Sequence, residues 1–141
     1  MAEIRFNEET LRYVSLFQRV TRSTVRDCLD TPDMIIFVVN MGEGGKAIGK
    51  GGKNVSRLKD TLKKDVHVIE YSPIPEQFLR NIFRSYTVKN VEIEEKEKGM
   101  HATVSVEAAQ KGMAIGRDAK NLKIARELMS RHHKIDSVSV A

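Results

Sequence analysis

One segment of this sequence occurs twice, and the repeat constrains the fold more than any other feature. Residues Gly45–Val55 align with residues Gly112–Leu122 after a shift of 67 positions, and six of the eleven aligned residues are identical. Agreement this dense indicates a tandem duplication. The chain has 141 residues, which leaves room for two units of about 70 residues each.

The segments around the repeated motif predict the same order of elements in both units. The β-branched run Met34–Asn40 precedes the first copy, and the alternating segment His101–Glu107, 67 positions further on, has the period of a half-buried strand. Each of these segments follows another strand candidate, and each copy of the motif leads into a helix and a short strand. A helix opens each unit, so the order is helix–strand–strand–helix–helix–strand. The prolines in Ser72–Pro75 mark the join, which predicts domains 1–72 and 73–141.

The two opening helices have apolar faces that we expect to pack on a core. In the first unit the predicted face consists of Leu11, Val14 and Phe17. In the second unit it consists of Phe78, Leu79, Ile82, Phe83 and Tyr86, with Pro75 at the first helical position.

Positive charge is concentrated in the two copies of the motif and the helices after them. The whole chain has 24 Lys and Arg against 19 Asp and Glu, a net charge of +5. Residues 44–64 hold seven basic residues and one acidic residue, and residues 111–134 hold seven basic and two acidic residues. This distribution is typical of a protein that binds a polyanion. Two solvated helix faces are the structural alternative.

The glycine loops at the centre of the motif are suited to phosphate binding. Gly49, Gly51 and Gly52 lie between two predicted helices, permit unusual backbone angles and leave no side chain in the way of a ligand. The start of the following helix favours anions, and Lys50 and Lys53 add positive charge there. A plain turn between packed helices is the alternative interpretation.

A nucleotide-binding enzyme is a weaker interpretation of the same loop. Residues Gly44–Gly51 nearly fit the pattern G-x-x-x-x-G-K-[ST], but Gly51 stands where the magnesium-binding hydroxyl belongs. The second copy begins with Lys111 and ends with Arg117 and Asp118, so it loses the pattern. We therefore expect no catalytic residues.

The sequence gives little support for a membrane, secreted, disulfide-bonded or zinc-binding protein. The longest apolar run, Met34–Val39, has six residues, whereas a membrane span needs about 20. Met1–Arg5 has no apolar signal region. The one cysteine, Cys28, cannot form an internal disulfide, and no Cys/His spacing suits zinc. We expect a cytoplasmic protein with no metal, no cofactor, no small-molecule substrate and no membrane partner.

The motif resembles a known family of nucleic-acid-binding domains. An Ile-Gly-x-x-Gly loop between two helices, here Ile48–Gly52, is the signature of KH domains, in which the loop clamps about four nucleotides of single-stranded backbone. The order of elements resembles the prokaryotic, type II form, an α+β fold in which helices pack on a three-stranded sheet. Two such units in tandem resemble the NusA family of transcription factors in its short archaeal form, and Val25–Cys28, Glu76–Phe83 and Ala125–Leu128 strengthen this resemblance.

The resemblance implies binding of single-stranded RNA in transcription termination or antitermination, with RNA polymerase as a second candidate partner. A protein-interaction adaptor that docks on RNA polymerase or the ribosome, with incidental RNA contact, is the alternative. Asn54 and Asn121 are placed either to cap the second helix or to contact RNA. The second loop departs from the motif at Ala119, a residue that favours helix over turn. The implied RNA-binding residues are Gly49, Lys50, Gly51, Gly52, Lys53, Asn54 and Arg57 in the first unit and Gly116, Arg117, Asp118, Ala119, Lys120 and Asn121 in the second.

Overall fold

A computed structural model of the chain describes residues 6–141. The prediction that no targeting signal is present concerns Met1–Arg5, which lie outside the described residues. The described part divides into two structural units, one ending at Ser72 and the other running from Pro73 to Ala141. That residues 1–72 and 73–141 are separate domains stays a prediction.

The first unit has the predicted order of elements. Its elements are α1 (Glu8–Thr21), β1 (Val25–Asp30), β2 (Met34–Val39), α2 (Gly44–Ile48), α3 (Lys53–Leu62) and β3 (Asp65–Glu70). The sheet has the order β1-β2-β3, in which β1 is antiparallel and β3 parallel to β2. Because a parallel pair of strands needs a crossover, α2 and α3 connect the end of β2 to the start of β3.

The second unit repeats this topology. Its elements are α4 (Pro75–Ile82), β4 (Val88–Lys96), β5 (Gly99–Val106), α5 (Lys111–Ile115), α6 (Lys120–His133) and β6 (Ser137–Val140). The strand order is β4-β5-β6, with the same antiparallel and parallel pairs. The predicted α+β class and order of elements are therefore confirmed in both units.

A β-bulge occurs at the same place in the two sheets. Arg26 is the extra residue on β1, opposite Val38–Val39 of β2. Lys89 is the extra residue on β4, opposite Ser105–Val106 of β5, which lie 67 positions after the partners in the first unit. A bulge bends the strand and increases its twist, so the duplication extends to the detailed geometry of the sheet.

The strand before each glycine motif lies at the centre of its sheet. Every residue of β2 is buried, whereas the residues of β5 alternate between buried and half-buried from Ala102 onward. In the first unit the Phe37 ring of β2 stacks on Phe17 of α1, with ring centroids 4.1 Å apart. Leu58 of α3 is fully buried in the same core. This packing fixes α3, and α3 carries the glycine loop at its N-terminal end.

The buried face of α1 differs from the predicted face at one position. Leu11 is 52% exposed, so its prediction as a core residue is wrong. Thr10 takes the position instead, because Thr10, Val14 and Phe17 follow the i, i+4, i+7 spacing of one helix side. The Thr10 N–H donates to Asn7 Oδ1 over 2.8 Å, so this buried polar residue belongs to the N-terminal cap of the helix.

Replacing Phe17 by alanine should lower the free energy of unfolding by about 3–5 kcal/mol, because it removes a fully buried ring and leaves a cavity. Leu11→Ala on the same helix is the matched control and should change it by less than about 0.5 kcal/mol. Urea denaturation followed by circular dichroism measures both. Similar losses in the two variants would contradict the burial pattern of α1.

Candidate nucleic-acid interface

The first glycine loop joins α2 to α3 through backbone angles that favour glycine. Gly49 has φ 81° and ψ 163°, a combination essentially restricted to glycine. Gly51 and Gly52 take the left-handed conformation, with φ of 62° and 76°. These angles turn the chain sharply between the two helices, and Lys50 supplies the side chain at the tip.

The second loop has the same backbone conformation with different residues. Gly116 has φ 83° and ψ 164°, and Asp118 and Ala119 take the left-handed conformation at φ 55° and 58°. The expectation that Ala119 favours helix over turn is therefore wrong for this position. A left-handed residue other than glycine costs roughly 1–2 kcal/mol, and aspartate tolerates the conformation better than alanine. The second loop retains the turn despite this cost.

The first glycine of each loop is required by packing as well as by its φ angle. A Cβ at Gly49 would lie 2.9 Å from the side chain of Asn54 and 3.0 Å from its backbone nitrogen. A Cβ at Gly116 would lie 3.1 Å from the corresponding atoms of Asn121. These two glycines therefore have a structural reason to be glycine that is independent of any ligand.

Asn54 and Asn121 cap a helix, but not the one in which they lie. Asn54 Nδ2 donates to the Lys46 carbonyl of α2 over 3.1 Å, and Asn121 Nδ2 donates to the Met113 carbonyl of α5 over 3.1 Å. Each asparagine thus satisfies a carbonyl near the C-terminal end of the preceding short helix. The residues at the N-caps of α3 and α6 are Gly52 and Ala119, which make no side-chain cap.

The middle of the first loop is uncovered. A Cβ at Gly51 or Gly52 would meet no atom within 4 Å, and Lys50 and Lys53 on either side are exposed. A ligand backbone can therefore approach the two α-carbons closely while two ammonium groups flank it. Arg57 is exposed one turn further along α3.

Backbone amides contribute less to this surface than the sequence suggests. The Gly52 N–H donates to the Gly49 carbonyl over 3.0 Å, and the Lys53 N–H donates to the Lys50 carbonyl. These two amides are used inside the turn. The positive charge of the first loop therefore comes mainly from its lysine side chains.

The second loop offers a more mixed surface. Arg117 and Asp118 are exposed side by side, and Ala119, Lys120 and Asn121 are half-buried. The carboxylate of Asp118 offsets the charge of Arg117, and the methyl group of Ala119 occupies the position that is open in the first loop. The structure thus brings the predicted residues of each loop together, but it gives the two loops different chemistry.

Tyr86 has a role in the second loop that its sequence pattern does not indicate. This residue lies beyond the end of α4, and its hydroxyl donates to the Met113 carbonyl over 3.1 Å. Asn121 Nδ2 lies 3.4 Å from the same hydroxyl. Tyr86 therefore tethers the second loop to the segment before β4. Its assignment to an apolar helix face concealed this role, and no sequence signal distinguishes the two.

A second missed contact is repeated in both units. A Glu43 Oε1 atom accepts the Thr24 N–H over 2.9 Å, and Gln110 Oε1 accepts the Thr87 N–H over 2.7 Å. Glu43 and Gln110 are 67 positions apart, and both offer a side-chain oxygen. Comparing the two copies beyond the glycine motif would have found this link between the first strand and the helix that leads into the loop.

Within residues 6–141, no group of three His, Cys, Asp or Glu side chains is arranged to hold a metal ion. None of the helices in this part of the chain is long and apolar enough to cross a membrane.

Comparison with known families and proteins assigns both units. The family described as "KH domain" matches residues 12–76, and the family described as "NusA-like second KH domain" matches residues 75–141. A Halobacterium salinarum protein called "Probable transcription termination protein NusA" is 36% identical over 137 residues, which cover 97% of this chain and 98% of that protein. The chain belongs to the NusA family of tandem KH proteins.

Other similar proteins agree with this assignment. A Thermoplasma acidophilum protein of the same name is 31% identical and the alignment covers 99% of this chain and 97% of that protein. The solved structure titled "Crystal structure of APE1850" has a TM-score of 0.78 and 32% identity, and covers 96% of this chain and 100% of that one. The predicted resemblance is therefore confirmed. KH domains bind RNA, so this NusA-family chain is an RNA-binding protein with a NusA-like role.

Replacing Gly52 by alanine and Ala119 by glycine should change the free energy of unfolding in opposite directions. Gly52→Ala places a side chain at a positive φ and should cost about 1 kcal/mol, whereas Ala119→Gly relieves the same strain and should gain about 0.5–1 kcal/mol. Gly112→Ala is the control, because this helical glycine has no positive φ and open space around it. It should be neutral or stabilising. Urea denaturation measures all three, and a loss of stability in Ala119→Gly would contradict the loop geometry.

Proposed function

We propose that this chain binds single-stranded RNA through its glycine loops, without catalysis, as a factor in transcription termination or antitermination. The observation that carries the proposal is the pair of uncovered α-carbons at Gly51 and Gly52, flanked by the exposed ammonium groups of Lys50 and Lys53.

The shape of the first loop favours an unpaired strand. A loop of this kind in KH domains clamps about four nucleotides. Contacts from Lys50 and Lys53 to phosphates fix the position of the strand but carry no sequence information. Unpaired bases are free to turn away from the loop, whereas a rigid duplex would have to bring its phosphates to a narrow turn between two helices.

The loop chemistry supports binding and not phosphate hydrolysis. Gly51 occupies the place of the hydroxyl that holds magnesium in a nucleotide-binding loop, and its left-handed φ of 62° interrupts the helix at that point. We therefore propose that the chain uses no nucleotide cofactor.

The biological role is taken from the relatives. They are named as probable transcription termination proteins, and RNA polymerase is the second partner that such a role implies. A factor of this kind would act in the cytoplasm, where prokaryotic RNA is made. The effect on transcription, stopping it or allowing it to continue, follows from the whole complex and not from the loop alone.

Binding should prefer unpaired RNA and should weaken with salt. Four neutralised phosphates would give a slope of about −3 in a plot of log affinity against log salt, because each single-strand contact contributes roughly −0.7. Filter binding of single-stranded RNA, duplex RNA and single-stranded DNA at several salt concentrations measures this. A slope near zero, or a preference for the duplex, would rule out the clamp.

The first loop should contribute more affinity than the second. Lys50→Asp with Gly51→Asp, and Arg117→Asp beside the native Asp118, give both loops the same two acidic residues. Asp118 already occupies the left-handed position, so the first-loop variant should fold. Losing two or three charge-assisted phosphate contacts there should cost about 2–4 kcal/mol, or roughly thirty-fold to several hundred-fold in affinity, and the second-loop variant should lose less.

Dissociation constants for the two variants decide the ranking, with circular dichroism as the control for folding. Lys59→Asp, on the exposed surface of α3, controls for the loss of two charge units in the second-loop variant. Lys59→Asp with Gln77→Glu, at another exposed position, controls for the loss of three in the first-loop variant. An equal or greater loss in the second-loop variant would show that the open glycines do not mark the main clamp.

A further inference from the structure

The first unit contains a cationic cleft outside the glycine loop. It lies between α1 and α3, has a volume of about 500 Å³, and is lined by Leu16, Arg19, Val20, Arg22, Arg57 and Thr61. We refer to it as the arginine cleft. Three of its six lining residues carry a guanidinium group, and none carries a carboxylate.

The guanidinium groups of the arginine cleft have no carboxylate partner among the residues that the structure describes. Within residues 6–141, no ion pair joins Arg19, Arg22 or Arg57 to a carboxylate. Like charges that line one cleft repel each other, and an anion between them removes this repulsion. Guanidinium groups bind phosphate in a bidentate manner, so the arrangement suits a phosphate group.

The helix dipole explains only part of this cluster. Arg19 lies in the last turn of α1 and Arg22 is its C-cap, where cations are favourable in any helix. Arg57 lies in the middle of α3, where the helix dipole does not favour a cation. Arg22 also has a φ of 59°, a position where glycine is the usual residue. The chain keeps a long cationic side chain at a site where it costs backbone strain.

The floor of the arginine cleft strengthens its electrostatic field. Leu16 and Val20 are half-buried and pack on the core of the unit. Apolar walls keep the local dielectric low, so charges in the cleft act more strongly on a ligand than the same charges on an open surface.

The arginine cleft continues the surface of the first loop. Lys53, Arg57 and Thr61 follow one another at intervals of four residues along α3, so they lie on one side of the helix with Cβ atoms about 5–6 Å apart. A strand that leaves the loop beside Lys53 can therefore follow α3 into the cleft.

The second unit does not repeat this arrangement. The residues 67 positions after Arg57 and Thr61 are Ile124 and Leu128, and Leu128 is fully buried. The glycine loop is thus common to both copies, whereas a basic residue at the position of Arg57 in the following helix belongs to the first copy alone.

We propose that the arginine cleft binds a phosphodiester group of the RNA strand held by the first loop, and so lengthens the RNA site along α3. This inference rests on the proposed RNA-binding function and adds a contact to it. It assigns Arg19 and Arg22, which lie outside the glycine motif, to RNA binding.

The test compares two lengths of unstructured RNA on the full chain with Arg19→Gln and Arg22→Gln combined. A four-nucleotide RNA is the length that one loop holds, and an RNA about three times as long also reaches the cleft. Fluorescence anisotropy should show affinity for the longer RNA reduced about tenfold or more. For the longer RNA, the slope of log affinity against log salt should become less steep by about 1.4, because two phosphate contacts are lost. The affinity for the short RNA should not change.

The control combines Lys59→Gln with Lys89→Gln, which removes the same charge from exposed lysines already paired with Asp65 and Glu107. Arg19→Lys with Arg22→Lys keeps the charge and should retain a large part of the affinity, which separates RNA contact from misfolding. Three results would overturn the inference: the glutamine variant loses equal affinity for both RNAs, the lysine control loses as much affinity as the glutamine variant, or the glutamine variant loses no affinity. In each case, binding of the short RNA by the unaltered chain would still support the proposed function.

Two further results would also decide against the inference. If the unaltered chain bound neither RNA, the proposed function would fail and the inference would fall with it. If inorganic phosphate bound the unaltered chain in calorimetry, and the glutamine variant lost that binding without any change in RNA affinity, the cleft would be a site for free phosphate.

Discussion

The close contact between the first loop glycine and the asparagine five residues later organises each candidate site. Asn54 occupies the space that a Cβ at Gly49 would need, and its side-chain amide donates to the Lys46 carbonyl. This closes the turn between α2 and α3 and leaves Gly51 and Gly52 projecting into open space. The same contact recurs at Gly116 and Asn121, and it accounts for the second loop keeping its conformation with Asp118 and Ala119 at positive φ.

The two copies share a backbone but have diverged in their surfaces. In the first, an uncovered glycine loop is followed by a helix whose exposed side carries Lys53 and Arg57. In the second, Lys120 corresponds to Lys53, but Ile124 stands at the position of Arg57. Tyr86 also ties the second loop to the rest of its unit. Duplication supplied two equivalent turns, and the residues around them are the reason why we propose the first as the stronger phosphate site.

The sequence predicted the repeat, the order of elements and the family, because these follow from spacing and local patterns. It did not predict contacts that depend on which side of an element faces the core. The spacing of Leu11 to Val14 fits a helix face and predicts a buried Leu11, yet Thr10 is buried instead. The arginine cleft also escaped prediction, because Arg19 and Arg57 lie 38 positions apart and meet only when α1 packs beside α3. Ala119 takes the left-handed conformation although alanine favours the right-handed helix, because tertiary packing overrides the local preference.

Backbone amide NMR of the full chain, titrated with single-stranded RNA, tests the central claim most directly. The claim is that RNA is held at the uncovered turn of the first unit. We expect the largest shifts at Lys50–Lys53 and along the exposed side of α3, with smaller shifts at Arg117–Lys120. Shifts confined to the strands or to α4, with both loops unchanged at saturating RNA, would contradict the account.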